Sequence, residues 1–188
     1  MAAKNKLSSL TPRKREALLA SALALGLGSG AAYAIDDVIE TPEAFLTEAF
    51  GASAPQPKFL DLDAGAQSQL SAVLGHPYPQ ARLRYWSANG RTAWIFDDKG
   101  RDGYVPTTAG FVVEKGGTIG IVRVLIYRES HGEEVAQPSF EKQFSGAHAA
   151  GSQLDRNIDG ISGATLSVKM MQRMARAAIV LDALAPKT

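Results

Sequence analysis

The feature that most constrains the fold is a series of segments in which apolar and polar residues alternate, separated by tight turns. The segments are residues 82–86, 92–96, 108–114 and 119–127. Asn89-Gly90, residues 99–103 and Gly116-Gly117 separate them, and Asn-Gly is a strong signal for a two-residue hairpin turn. The pattern predicts a meander of about four antiparallel strands, with the strongly apolar segment 119–127 at its centre.

Helical patterns lie on both sides of this meander. Thr41-Pro42-Glu43 combines a capping residue, a first-turn proline and an acid, which predicts a helix that ends at Gly51. Further helices are predicted over residues 67–74, 139–144 and 166–184. Helices segregated around an antiparallel sheet make an α+β domain, with the long C-terminal helix as its last element.

The first 34 residues have the pattern of a targeting segment. Residues 4–15 carry five basic side chains, and the uncharged residues 17–34 end in Ala32-Tyr33-Ala34, a small-x-small cleavage pattern. We expect a cleaved signal peptide, and the alternative is a retained N-terminal membrane anchor. Both place residues 35–188 on the periplasmic or extracytoplasmic side of a membrane.

Charge and cysteine content exclude several classes of function. The chain has 20 basic and 19 acidic side chains, and residues 35–188 have 15 and 18, so the predicted mature domain is mildly acidic. It lacks a basic patch interleaved with aromatic residues, and we expect no nucleic-acid partner. The absence of cysteine excludes disulfides and thiolate metal sites. His76, His131 and His148 lack metal-ligand spacing, so redox chemistry would require an organic cofactor.

A motif of small residues lies directly before the closing helix. Residues 159–165 read D-G-I-S-G-A-T. Small residues let a ligand approach the backbone closely, and the free N–H groups of a first helical turn attract an anion. Thr165 adds a hydroxyl that can cap the helix, hold a phosphate or be esterified by one. The structural alternative is an ordinary glycine-rich turn before a helix.

The pattern D-x-x-S-G-A-T resembles the signature of FMN-binding domains that carry their flavin covalently, as in the flavin subunits of sodium-pumping quinone reductase and ion-translocating ferredoxin oxidoreductase. The resemblance covers roughly residues 80–184. It implies that a flavin transferase with FAD as donor joins FMN phosphate to Thr165 as a phosphoester, at the N-terminus of the closing helix. The other motif positions, which it assigns to the FMN site, are Asp159, Ser162, Gly163 and Ala164.

A second segment resembles the part of these domains that faces the flavin at the end of a strand. Glu129 and Gly132 match its Glu and Gly, whereas Ser130-His131 replace the Thr-Pro of many members. This departure leaves open whether His131 contacts the isoalloxazine ring. Lys169, one turn after Thr165, could neutralise the phosphate charge. The alternative for residues 129–134 is a solvated acidic loop.

The sequence divides into three regions: a signal or anchor segment (1–34), a helical N-terminal extension (35–79) and, by the resemblance, an FMN-binding domain (80–188). The resemblance implies an exported electron-transfer subunit, rather than a stand-alone enzyme, that relays electrons with a haem-containing or quinone-linked membrane partner. The alternative is a noncovalent FMN- or small-ligand-binding module with a sensing or structural role. A hydrolase is disfavoured because no G-x-S-x-G elbow is present, and a flavin reductase because no nicotinamide-binding glycine pattern follows a predicted strand.

Overall fold

A computed structural model describes residues 37–100 and 105–186 of the chain. The predicted signal or anchor segment, residues 1–34, therefore lies outside the described residues. So do residues 101–103 of the predicted second turn.

The described chain forms one main sheet, four α-helices and a small hairpin. The strands are β1 (Asp37–Val38), β2 (Lys58–Asp61), β3 (Arg82–Ala88), β4 (Arg91–Asp98), β5 (Thr107–Glu114), β6 (Thr118–Tyr127), β7 (Ala149–Ala150) and β8 (Gln153–Leu154). The helices are α1 (Pro42–Phe50), α2 (Ala64–Leu74), α3 (Pro138–Glu141) and α4 (Thr165–Leu184). Short 3-10 turns, Glu133–Ala136 and Lys142–Phe144, flank α3.

Antiparallel pairing in the order β1-β6-β5-β4-β3-β2 builds the main sheet, and the predicted α+β class is confirmed. The sheet has six strands rather than about four, because a short strand is added at each edge. β1 has two residues, and β2 has four, of which only Leu60 is buried. Edge strands this short have too few residues for alternation to be recognised.

The centre of the sheet is not where the sequence places it. The prediction that residues 119–127 form the central strand is wrong, because β6 is bordered on one side only by the two-residue β1. β5 lies between β6 and β4, and seven of its eight residues are buried. Helices cover both faces of the sheet, so β6 is apolar on both faces without being central.

Two buried clusters lie on opposite faces of the sheet. The larger one packs α2 and α4 on the sheet and includes Leu70, Trp94, Phe111, Met170 and Met174. The smaller one packs α1 on the other face and includes Phe45, Leu46, Trp86, Val112 and Leu125. The methionines of α4, Met170, Met171 and Met174, are fully buried and belong to the larger cluster.

The register of α4 determines which residues its first turn presents. Leu166 is apolar but 41% exposed. Ser167 is instead buried on the sheet side, three residues before Met170. Thr165, Lys169, Arg173 and Arg176 follow one another at intervals of three or four residues, which places them on one face of the helix, away from the buried methionines.

Candidate FMN-binding site

The two segments that sequence reasoning singled out meet at the first turn of α4. Gly132 has a φ of +96° and packs directly against Ser167. A Cβ at Gly132 would overlap the Ser167 hydroxyl and would lie 2.9 Å from the Tyr127 hydroxyl. The turn that follows β6 is therefore fitted closely onto the buried side of the helix N-terminus.

Glu129 is held by two donors from other parts of the fold. Its Oε1 accepts the Gly100 N–H at 2.7 Å, and its Oε2 accepts the Ser167 hydroxyl at 3.4 Å. These bonds tie the end of β6 to the turn after β4 and to the first turn of α4. The carboxylate places a half-buried negative charge beside the helix N-terminus.

Tyr127 completes this small network. Its hydroxyl donates to the His131 carbonyl at 2.5 Å and lies 3.2 Å from the Ser167 hydroxyl. Burial raises the pKa of Tyr127 to about 12, and the Glu129 carboxylate acts in the same direction. The phenol therefore stays neutral and keeps its proton for the bond to the carbonyl. The His131 side chain is exposed, so only its backbone takes part in this network.

Hydrogen bonds from backbone N–H groups hold the S-G-A-T turn, which directly precedes α4. Asp159 and Ser162 are exposed; the Asp159 N–H donates to Gln143 Oε1 at 2.7 Å, and its carboxylate accepts from Asn157 at 3.2 Å. Ala164 is buried and its N–H donates to the Ile161 carbonyl at 3.0 Å. The turn is therefore ordered without any contact from the Ser162 side chain in the bonds described.

Gly163 and Thr165 form the accessible part of the turn. Gly163 has a φ of +84°, and a Cβ there would have no neighbouring atom of the described residues within 4 Å. Ala164 occupies the N-cap position of α4 and provides no side-chain cap. Thr165 is the first helical residue and is exposed, two residues after the open backbone of Gly163.

A basic face of α4 continues from Thr165. Lys169 is exposed and has no ion-pair partner within the described ranges. Arg173 Nε lies 2.6 Å from the buried Asp98 carboxylate, which also accepts from His76 Nε2 at 2.8 Å. Arg176 donates only to the Val73 carbonyl, at 3.3 Å. Burial, together with the neighbouring Arg173, lowers the pKa of Arg176.

A cavity of about 750 Å³ lies along this face. α2 and the segment 152–158 form its other walls. Its charged lining residues are Asp155, Arg156, Lys169, Arg173 and Arg176. Cations therefore outnumber anions in the wall that begins one helical turn beyond Thr165.

Sequence reasoning missed the residues that join the two segments, namely Tyr127, Ser167 and Gly100. A signal for Ser167 did exist, because it precedes Met170, Met171 and Met174 at helical spacing and so belongs to their face. Nothing in the local sequence indicates that the Gly100 N–H reaches Glu129, since this contact spans 29 residues and depends on the sheet.

The described residues contain neither a metal-ligand cluster nor a helix able to span a membrane. Among residues 37–100 and 105–186, no group of three or more His, Asp or Glu side chains is arranged to hold a metal ion. Within the same ranges, no helix combines the length and the hydropathy that a membrane span requires.

The comparison with protein families decides the class of the domain. Residues 100–180 match the model of the FMN-binding domain. The chain contains an FMN-binding domain. FMN is accordingly its cofactor, as the sequence predicts. The match supports this family and not one particular subunit within it. No curated protein and no solved structure matches the chain.

The residues at the start of α4 fit FMN. The matched region includes Glu129, Gly132, the S-G-A-T turn and Lys169. The exposed Thr165 hydroxyl, the open side of Gly163 and the uncapped helix N-terminus suit a phosphate, because backbone N–H groups and the helix dipole favour an anion there. Leu166 adds an exposed apolar side chain next to Thr165.

Proposed function

We propose that this FMN-binding domain carries FMN as a phosphoester of Thr165 and works as an exported electron-transfer subunit. The observation that carries the proposal is the position of Thr165. It is the exposed first residue of a 20-residue helix and lies two residues after Gly163, whose Cβ side is open. A transferase must bring a second large substrate to the hydroxyl, and a buried threonine could not meet it.

Attachment exchanges the phosphoanhydride bond of FAD for a phosphoester bond to Thr165. The Thr165 oxygen forms a bond to the phosphorus of the FMN half of FAD, the bond from that phosphorus to the bridging oxygen breaks, and AMP leaves. The hydroxyl proton is released to solvent or to the transferase. Lys169, one turn along the helix and unpaired within the described ranges, would offset the charge that remains on the ester.

The bound flavin supplies one- and two-electron chemistry, and the protein supplies its position and its surroundings. Residues 159–165 would hold the phosphate end, while Glu129 and the backbone of the Gly132 turn would border the ring. The proposed redox partner is a haem-containing or quinone-linked membrane protein, and the proposed location is the extracytoplasmic side. Support for export comes from the targeting pattern of residues 1–34.

A noncovalent FMN module is the second candidate, and one observation favours it. The basic face of α4 and its uncapped N-terminus can bind a phosphate without any ester. The sensing or structural role suggested for such a module would then require no transferase.

The decisive experiment is intact mass spectrometry after denaturation, on protein co-expressed with a flavin transferase. Wild type should retain the mass of FMN less one water, and Thr165→Val should lose it completely because no oxygen is available. Thr165→Ser is the matched control, since it keeps a hydroxyl. Retention of FMN mass by the Val variant would reject Thr165 as the site. Colour that is lost on denaturation of the wild type would favour the noncovalent module.

A further inference from the structure

The cavity beside α4 has more positive charge than the folded chain neutralises. Asp98 neutralises Arg173, and Arg156 is 4.0 Å from Asp155. Lys169 and Arg176 have no carboxylate within 4 Å among the described residues. Arg176 therefore remains for the ligand that the cavity accepts, and Lys169, which is also proposed to offset the charge of the Thr165 ester, borders both sites.

Arg176 is the stronger of the two indications. Its guanidinium is partly withdrawn from water, stands beside Arg173, and makes one long bond to a backbone carbonyl. A partly buried charge without a counter-charge is unfavourable, and a bound anion would relieve it. Repulsion from the neighbouring Arg173 is also unfavourable to the charge on Arg176, and a bound anion would offset it.

The spacing of the cations indicates the size of the anion. Lys169 and Arg176 are seven residues apart on one helix, which corresponds to about 10 Å along its axis. A diphosphate with a further polar group extends along such a row, whereas a single phosphate does not. The volume of about 750 Å³ lies in the range of small-molecule sites rather than of single-ion sites.

We propose that the cavity formed by α2, α4 and residues 152–158 binds a second, diphosphate-bearing small molecule next to the FMN-binding turn. This site is separate from the phosphoester on Thr165 and does not depend on the covalent linkage. Arg176 and Lys169 are the residues that bind its phosphates, and Arg156 borders it on the opposite wall.

Isothermal titration calorimetry with inorganic pyrophosphate tests the proposal. The titration uses wild-type protein prepared with and without covalent FMN. Pyrophosphate should bind both forms, and inorganic phosphate should bind more weakly. Arg176→Gln and Lys169→Gln should each weaken pyrophosphate binding about tenfold or more, the loss expected for one charge-assisted hydrogen bond. Arg84→Gln is the matched control: it removes the same charge from an exposed position on β3, and should change the affinity less than about twofold.

Three results would overturn the proposal. The first is no heat of binding from wild type at millimolar pyrophosphate. The second is an equal effect of Arg84→Gln, which would mean general charge screening. The third is binding that disappears when FMN is attached, which would give the cavity to the flavin itself. Lys169 is exposed, so its variant stays informative even if Arg176→Gln fails to fold, and failure of Thr165 as attachment site leaves the titration unaffected.

Discussion

Two glycine turns border the start of α4, and they differ in what surrounds them. Gly132 has a φ of +96° and its Cβ side is filled by Ser167 and Tyr127. Gly163 has a φ of +84°, and its Cβ side is free of described atoms within 4 Å. Both positions need glycine for the backbone, but only the first also needs it for packing. The Gly132 turn is a fixed wall of the site, and the Gly163 turn is the side from which a ligand can approach.

The largest expected effect is on the packed side. Gly132→Ala should reduce the free energy of unfolding by about 2–5 kcal/mol, because it adds an unfavourable left-handed conformation to an overlap with Ser167. Urea denaturation measures this. The double variant Gly132→Ala/Ser167→Ala should recover part of the loss, since the overlapping hydroxyl is gone.

Gly151→Ala provides the control for backbone conformation alone. Its φ is +60° and a Cβ there meets no described atom within 4 Å, so the expected loss is about 1 kcal/mol. Equal losses at positions 132 and 151 would show that packing against Ser167 contributes nothing.

The segment that follows the Gly132 turn should make the stability of the fold depend on pH. Glu141 on α3 is buried, accepts the Val124 N–H at 2.8 Å and shares Arg123 with Glu40 and Glu48. Burial raises the pKa of Glu141 to about 7, and the two neighbouring carboxylates add to the rise. In the unfolded chain this carboxyl ionises at ordinary pKa, so between about pH 4.5 and pH 7 the folded state alone holds the proton.

The contribution of protonated Glu141 to the free energy of unfolding is therefore fully present below about pH 4.5 and is lost as the pH rises towards 7. The loss is up to about 3 kcal/mol, at 1.36 kcal/mol per pKa unit. Glu141→Gln, which mimics the protonated form, should remove most of this decline. Urea denaturation at pH 5 and pH 8 measures it for both proteins. The same decline in the variant and in wild type would assign it to other groups, of which Glu40, with its raised pKa, is the first to test.

The two turns also show which parts of the fold and of the site can be predicted from the sequence. The α+β class, the hairpin at Asn89-Gly90 and the long closing helix follow from periodicity and turn residues, which are local signals. The S-G-A-T turn and the 129–132 segment are recognisable as strings. The proximity of these two segments in the fold cannot be recognised from the sequence. It depends on contacts across the sheet, such as that of Gly100 with Glu129, that no local pattern encodes. Leu166 is exposed although it is apolar, because the buried face of α4 begins at Ser167.

A smaller effect is expected on the open side. Gly163→Ala should reduce the free energy of unfolding by only about 1 kcal/mol, the conformational part alone. Its effect on flavin attachment should be larger than this, because the methyl group would project into the open space from which the ligand is proposed to approach the turn. Gly160→Ala is the control within the same motif, since Gly160 has no positive φ and no neighbour within 4 Å of a Cβ. Intact mass of the two variants separates crowding at position 163 from a general sensitivity of the turn.

The smallest expected effect is a shift in the flavin reduction potential, and it shows on which side of α4 the flavin ring lies. Glu129→Gln should leave the fold nearly unchanged, because the amide oxygen can still accept the Gly100 N–H. A carboxylate beside the ring opposes the addition of negative charge, so its removal should raise the flavin potential, by on the order of 40 mV for about 1 kcal/mol per electron. Ser167→Ala should act in the opposite direction, since it removes a donor 3.4 Å from the same carboxylate and leaves its charge less neutralised. Spectroelectrochemical titration of both variants, with Glu133→Gln as an exposed acidic control, measures the shifts. Opposite shifts at positions 129 and 167 would place the ring against the Gly132 wall, whereas unchanged potentials in both would move it to the basic face of α4.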